Sequence, residues 1–274
     1  MTNPRLLKYA RSSYGNLRSN PQHQFAASHA LKAYRSNAIY TFIPKVACST
    51  LRFSLAVSNG CIGGAADFQW IHSNNDAFRA SLEDLACARY AFVVLRDPFS
   101  RLASCFLDKI VGKNLPAWEF VRAMHLRDQD LDGVTFEAFV EGIRNGPVLN
   151  ADHHWRPQSD FLVYETYDDY FALERFEDAV PTIEEKTGMT VRDARAQTGH
   201  GLGNYQILPA DIDFAAVPAS EIARLKHNGQ CPHPRSLYTE RLVELVRARY
   251  VGDFRVYAER IGLPVMFPER GSAP

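Results

Sequence analysis

Lys45, Ser49 and Thr50 stand together where an apolar run gives way to a helical pattern. The run AIYTFIP (38–44) predicts a buried strand, and ACSTLRFSLAV (47–57) predicts a helix directly after it. A helix N-terminus presents unpaired N–H groups and a partial positive charge, which attract phosphate and sulfate. The lysine and the two hydroxyl groups add further donors. The segment therefore predicts a loop that binds a phosphate-like anion, with an ordinary strand–loop–helix turn as the alternative.

This loop differs from the phosphate loop of kinases and NTPases. Those enzymes need the pattern G-x-x-x-x-G-K-[ST], in which the lysine directly precedes the hydroxyl residue. Here Lys45 lies four residues before Ser49, and the flanking glycines are missing. The pattern therefore argues against a nucleoside triphosphate held with magnesium.

A second strand-to-helix corner lies at Arg96. RYAFVVL (89–95) is rich in β-branched and aromatic residues and predicts a buried strand. Asp97 is a good N-cap, and Pro98 suits the first helical position. Apolar residues then recur with the spacing of one helix face, at positions 99, 102, 103, 106, 107 and 110. Residues 96–112 therefore predict an amphipathic helix that begins where a strand ends.

Both corners lie where open α/β sheets bind ligands, at the carboxyl ends of strands. Arg96 at the helix mouth could bind a phosphate in a bidentate way, and Ser104 follows eight residues later. The alternative for Arg96 is a surface ion pair with Asp97 or Asp108. Two anion sites on neighbouring strand ends suit a ligand that carries two separated phosphates.

Strands that each feed a helix predict an α/β fold, with a parallel sheet and helices on both faces. Periodicity and capping predict further helices over 135–146, over 175–188 with a break near Pro181, and over 236–262 with a split at Gly252. Long segments without clear periodicity are uncommon unless functional, so we expect substrate-binding insertions in 60–88 and 189–235.

The charges are unevenly distributed along the chain. The 274 residues carry no net charge, yet residues 1–66 contain eight lysines and arginines and no acidic residue. A basic leading end beside the predicted loop favours an anionic ligand, although residues 1–35 alone could be a solvated basic arm. We predict a basic N-terminal extension over residues 1–36 and one domain over residues 37–274.

The cysteines and the first residues of the chain indicate in which cellular compartment the protein is expected. Five cysteines are scattered without a C-x-x-C pair, so the sequence indicates neither a disulfide framework nor a zinc site. Such cysteines are typical of a reduced, cytoplasmic protein. No apolar run is long enough to span a membrane, and the first residues lack the apolar core of a secretory signal.

Several segments together resemble a known family. IPKVACSTLR resembles the 5′-phosphosulfate loop of sulfotransferases, particularly the chondroitin and dermatan carbohydrate sulfotransferases, here in a soluble, bacterial-like form. FVVLRDPFSRLASCFLDKI resembles the 3′-phosphate motif of the same branch, with Cys105 in place of the usual small residue. HHWRPQSDFL (153–162) and YDDYFALERFED (167–178) are similar to its later segments, although the second diverges at residues 171–175. The C-x-x-C that follows the H-W segment in the Golgi enzymes is missing, which agrees with a cytoplasmic protein.

The resemblance implies a P-loop-like α/β sulfotransferase fold, with 3′-phosphoadenosine-5′-phosphosulfate (PAPS) as donor and no metal. It implies that the 5′-phosphosulfate is held by the loop Lys45, Val46, Ala47, Cys48, Ser49 and Thr50. It assigns the 3′-phosphate to Arg96 and Ser104. Arg101 would bind the nucleotide or the acceptor, or would pair with Asp108 or Glu119.

Sulfuryl transfer needs a base for the acceptor hydroxyl and positive charge on the departing oxygen. Lys45 is placed to supply the charge. His72, in FQWIHSNN, is the first candidate for the base, because the family has a histidine between the two motifs. His154 is the second candidate, with a packing pair of His154 and Trp155 as the alternative. A loop histidine without a role is the alternative for His72.

The sequence thus predicts a cytoplasmic sulfotransferase that acts on a hydroxyl of a carbohydrate or glycolipid. Nucleic acid is not an expected partner, and peripheral membrane contact is compatible with the chain. A kinase-like phosphotransferase and a non-catalytic nucleotide-binding protein of the same fold are the alternatives. The Gly-rich segment 195–206 is only weakly similar to a late 3′-phosphate loop, so a surface loop is expected there.

Overall fold

A four-stranded sheet organises the fold. The structure is a computed structural model that describes residues 5–198 and 204–268. The sheet runs in the order β1-β2-β3-β4, in which β2, β3 and β4 are parallel and β1 is antiparallel to β2. A separate two-stranded parallel ladder joins β5 to β6. The strands are β1 Ala30–Ala33, β2 Ala38–Thr41, β3 Tyr90–Leu95, β4 Asp169–Ala172, β5 Gln206–Ile207 and β6 Gln230–Cys231.

Helices occupy much of the remaining described chain. The α-helices are α1 Pro21–Ser28, α2 Cys48–Ser58, α3 Leu82–Cys87, α4 Pro98–Cys105, α5 Leu115–Ala123, α6 Phe136–Gly142, α7 Gly146–Ala151, α8 Gln158–Phe161, α9 Phe176–Thr187, α10 Arg195–Thr198, α11 Ala219–His227, α12 Glu240–Arg249 and α13 Val251–Arg260. Short 3₁₀ segments include Leu17–Ser19, Ala65–His72, Asn75–Phe78, Asp128–Gly133, Leu173–Arg175 and Pro234–Leu237. In the described part of the chain, no helix combines the length and the apolar character that a membrane span requires.

The chain divides into two compact units. The first consists of Met1–Arg96 and Gln158–Gly199 and contains the four-stranded sheet. The second consists of Asp97–Pro157 and His200–Pro274 and has a largely helical core. Aromatic side chains fill that core, including the fully buried Phe99, Phe106, Phe120, Phe136, Phe139 and Trp155.

The predicted parallel α/β architecture is confirmed, because both predicted strands lie side by side and are parallel. Every residue of β3 is buried, which is why its sequence is continuously apolar instead of alternating. Strand β1 departs from the expectation. It pairs with β2 from Ala30↔Thr41 to Ala33↔Ala38, so part of the segment expected as an extension is an edge strand of the sheet.

Helix α4 begins as its capping residues predict. Both carboxylate oxygens of Asp97 accept backbone N–H bonds, from Phe99 and from Ser100 at 3.1 Å. The predicted helix does not continue uniformly to residue 112. Phe106–Ile110 is a π-helical turn, in which the Val111 N–H donates to the Phe106 carbonyl at 3.0 Å.

Two predicted helix breaks are placed differently in the structure. Helix α9 continues through Pro181 and ends at Gly188, whose φ of 68° is accessible to glycine without strain. The C-terminal helical region breaks at Tyr250 and not at Gly252, which lies inside α13. Tyr250 is 2% exposed and its hydroxyl donates to the Trp155 carbonyl, so a buried contact coincides with the break.

The segments expected as long insertions contain short elements. Residues 60–88 include two 3₁₀ segments and α3, and residues 189–235 include α10, α11 and both strands of the small ladder. Residues 199–203 of the Gly-rich segment lie outside the described residues. All five cysteines are described, and each is a free thiol.

Candidate active site

The loop between β2 and α2 has an unusual backbone. Lys45 and Ala47, on either side of Val46, have φ values of 69° and 48°, in the left-handed region that favours glycine. Turns that include left-handed residues can direct neighbouring N–H groups into one concavity, as phosphate loops do. The loop thus reaches this backbone conformation without the glycines that a phosphate loop usually has.

The strain at Ala47 leads to a testable prediction. Ala47→Gly should raise the free energy of unfolding by about 1 kcal/mol, because glycine removes the penalty on a left-handed residue. Urea denaturation of both proteins measures the change. Ala56→Gly, in the interior of α2, is the control and should be destabilising, because helical glycine is unfavourable and Ala56 is buried. A loss of stability in Ala47→Gly would mean that the left-handed conformation is not strained.

The first turn of α2 completes the loop. Ala47 is the N-cap and provides no side-chain cap, so the N–H groups of the first turn are suited to an anion. Cys48, Ser49 and Thr50 are half-buried, and Thr50 Oγ1 accepts an N–H bond from Ala194 at 3.4 Å. Val46 is fully buried.

Arg96 contacts the same loop. It follows the last residue of β3, and its Nη1 donates to the Lys45 carbonyl at 3.2 Å. Its backbone is held by Gln158, whose Oε1 accepts from Arg96 N at 3.0 Å and whose Nε2 donates to Arg96 O at 2.8 Å. The structure therefore brings Lys45 and Arg96 together, as the two-corner interpretation requires.

The predicted site residues of the second unit have different surroundings. Arg101 is 2% exposed, and its guanidinium donates to the carbonyls of Arg156 at 2.8 Å and His154 at 3.0 Å. These two bonds connect Arg101 to the His-Trp segment, and its contact with nucleotide or acceptor stays a prediction. The carboxylate of Glu119, an expected partner, accepts from Arg122. Ser104 lies about one helical turn after Arg101 in α4 and is half-buried.

His154 forms a pair with Asp152. Its Nδ1 and its backbone N–H lie 2.6 and 2.7 Å from Asp152 Oδ1. Burial raises the pKa of the Asp152 carboxyl, but the hydrogen bonds and charge of His154 outweigh burial and the pKa is lowered. Trp155 is fully buried and donates from Nε1 to the Val148 carbonyl at 2.8 Å. These contacts favour a structural role for the His-Trp pair.

Asp152, His154 and the neighbouring His153 also offer ligands for a metal ion. Asp152, His153 and His154 each place one ligand atom within 4.8 Å of the others. A carboxylate and two imidazoles are suitable ligands for zinc and similar ions.

His72 lies in the first unit, at the end of the 3₁₀ segment Ala65–His72. It is exposed, and its ring packs edge-on against Phe68 with centroids 5.6 Å apart. Arg52 of α2 donates to the Ile71 carbonyl at 3.3 Å, so the helix that follows Lys45 also holds this segment. An open hollow of about 430 Å³ lies beside the same segment, and its lining includes Asp67, Gln69 and Trp70.

Sequence reasoning missed two polar residues of these arrangements, Asp152 and Gln158. Asp152 stands two residues before His154, and the pattern D-x-H is a local signal that could have suggested the pair. Gln158 lies inside a segment that the sequence did single out. Its contact with Arg96 spans 62 residues, so no local pattern could have indicated it.

The parallel strands β2, β3 and β4 define an α/β protein, and Arg96 contacts the loop of Lys45 where two of these strands end. The sequence model of the sulfotransferase family matches residues 28–258, and the chain belongs to this family. Membership of this family indicates sulfuryl transfer as the class of reaction. The matched residues include strand β1. No curated protein and no solved structure matches the chain.

Proposed function

We propose that this protein is a PAPS-dependent sulfotransferase that transfers a sulfuryl group to a hydroxyl of a carbohydrate or glycolipid. The observation that carries the proposal is the contact of the Arg96 guanidinium with the Lys45 carbonyl, within a chain of the sulfotransferase family. Through this contact two cationic residues that follow neighbouring parallel strands lie close together, which suits a donor with phosphates on both the 3′ and the 5′ position of its ribose. The carbohydrate acceptor is supported by the motif resemblance.

In this proposal the P-loop-like turn holds the 5′-phosphosulfate. Lys45, Ser49 and Thr50 act through their side chains, whereas Val46, Ala47 and Cys48 act through backbone N–H groups. Arg96 binds the 3′-phosphate, and the motif resemblance assigns Ser104 to the same phosphate. Arg101 acts indirectly, through the carbonyls of the His-Trp segment.

The transfer is an in-line displacement at sulfur. The acceptor oxygen forms a bond to sulfur while the bond from sulfur to the bridging oxygen breaks, and that oxygen keeps the electron pair. Lys45 stabilises the negative charge that develops there. His72 takes the hydroxyl proton, and its exposure makes it accessible to an acceptor. Lysine and arginine supply the positive charge that kinases obtain from magnesium, so no metal has a role in the proposal.

The His154–Asp152 pair is the second candidate for the base. A carboxylate that holds the histidine Nδ1 directs Nε2 toward a substrate, as in many acid–base sites. The five free thiols suit a reducing compartment, and we place the protein in the cytoplasm.

Calorimetric titration with adenosine 3′,5′-bisphosphate, in the presence of a chelator, tests the donor site. We expect binding without magnesium that is much tighter than binding of ATP. Arg96→Ala should weaken it by about 10–100-fold, the range for a lost hydrogen bond to a charged group. Arg89→Ala, at the opposite end of β3 on an exposed residue, is the control and should not change the affinity.

A magnesium-dependent preference for ATP would contradict the proposal and favour a kinase-like phosphotransferase. Tight binding of the bisphosphate without turnover of PAPS, for every carbohydrate and glycolipid tried, would favour the non-catalytic alternative.

A further inference from the structure

Gln158 occupies an unusual position for a polar side chain. It is the first residue of α8, in the first unit, and is only 2% exposed. A buried primary amide is costly unless its donors and acceptor are satisfied. Gln158 uses its amide as acceptor and as donor on the same residue. Its Oε1 accepts from the Arg96 N–H at 3.0 Å, and its Nε2 donates to the Arg96 carbonyl at 2.8 Å.

This pairing continues the sheet where its strands stop. The parallel register of β3 with β4 ends at Leu95↔Ala172, and that of β3 with β2 ends at Val93↔Thr41. Arg96 is the next residue, beyond both registers. The amide of Gln158 gives Arg96 the two backbone partners that a neighbouring strand would otherwise give. The backbone of Arg96 is therefore fixed although the strand has ended.

The side chain of Arg96 connects this fixed backbone to the loop that contains Lys45. Its Nη1 donates to the carbonyl of Lys45, the left-handed residue that opens the turn before α2. Gln158, Arg96 and Lys45 thus form a continuous series of contacts within the first unit. A guanidinium recognises phosphate with strict geometry, so a small displacement of its backbone is expected to matter.

We propose that Gln158 is a positioning residue of the donor site, which fixes Arg96 so that its guanidinium can hold the 3′-phosphate and brace the Lys45 turn. The inference rests on the proposed function, because it assigns the nucleotide to Arg96. Gln158 itself contacts the backbone of Arg96 and acts on the nucleotide only through that residue.

A double-mutant cycle tests this role by calorimetry with adenosine 3′,5′-bisphosphate. Gln158→Leu removes both amide bonds at similar volume and should weaken binding at least tenfold. In the Arg96→Ala background the same substitution should change the affinity less than twofold, because the guanidinium is already gone. A purely structural role would weaken binding equally in both backgrounds. Gln22→Leu, on an exposed position of α1, is the control and should leave the affinity unchanged.

Gln158→Glu keeps the experiment decisive if the leucine variant does not fold. The carboxylate can still accept from Arg96 N–H but can donate to Arg96 O only when it is protonated. The affinity relative to wild type should therefore be lower at pH 8 than at pH 5.5. A folded Gln158 variant with wild-type affinity, or an equal loss in both backgrounds, overturns the inference. If the wild-type protein does not bind the bisphosphate, the proposed function fails and the inference fails with it.

Discussion

Lys45→Ala should lower kcat for sulfuryl transfer by about 10²–10³-fold, the usual cost of losing one group that stabilises developing charge. Lys45 opens the turn that precedes α2, where the proposal places the departing oxygen. Because this charge develops mainly in the transition state, affinity for adenosine 3′,5′-bisphosphate should fall less than tenfold. Steady-state kinetics with PAPS and calorimetry with the product measure the two effects separately.

Lys186→Ala is the matched control for this variant. Lys186 lies on α9 in the same unit, is half-exposed, and pairs with Glu185 at 3.4 Å on the surface. It should leave kcat and the product affinity unchanged. Lys45→Arg keeps the charge but changes its geometry, and we expect an intermediate kcat. If Lys45→Ala lowered affinity and kcat by the same large factor, Lys45 would be a binding residue without a specific role in the transfer.

His72→Ala should lower kcat by about 10²–10⁴-fold, the range for loss of a positioned base, without a change in nucleotide affinity. His72 is exposed at the end of a segment that Phe68 and Arg52 hold in place, so its removal should leave the fold intact. Single-turnover kinetics with saturating acceptor isolate the chemical step. The thermal midpoint of the variant should stay within a few degrees of wild type.

His154→Ala provides the comparison. The substitution leaves the Asp152 carboxylate without its imidazole partner, and both side chains are mostly buried, at 17% and 20% exposed. We expect a loss of about 1–3 kcal/mol in the free energy of unfolding and a smaller effect on kcat than that of His72→Ala. The reverse ranking, with kcat lost in His154→Ala and retained in His72→Ala, would identify the Asp152–His154 pair as the base.

The sequence by itself determined the two strand-to-helix corners and the family. A continuous apolar run predicts β3, and Asp97 with Pro98 predicts the start of α4, because these signals depend on neighbours within one or two turns. The motifs around Lys45 and Arg96 also consist of residues that are close together in the sequence. That is why the parallel α/β architecture and the sulfuryl-transfer class could be stated before any contact was known.

The tertiary structure alone decided which of these parts contact one another. The turn at Lys45 and Ala47 is left-handed although neither residue is a glycine, so its sequence does not predict this conformation. The guanidinium of Arg101 is buried and donates to two backbone carbonyls. Arg96 meets Lys45 across 51 residues of chain and meets Gln158 across 62. Local propensity carries no information on such pairs, because their free energy arises only when the sheet has brought distant segments within hydrogen-bonding distance.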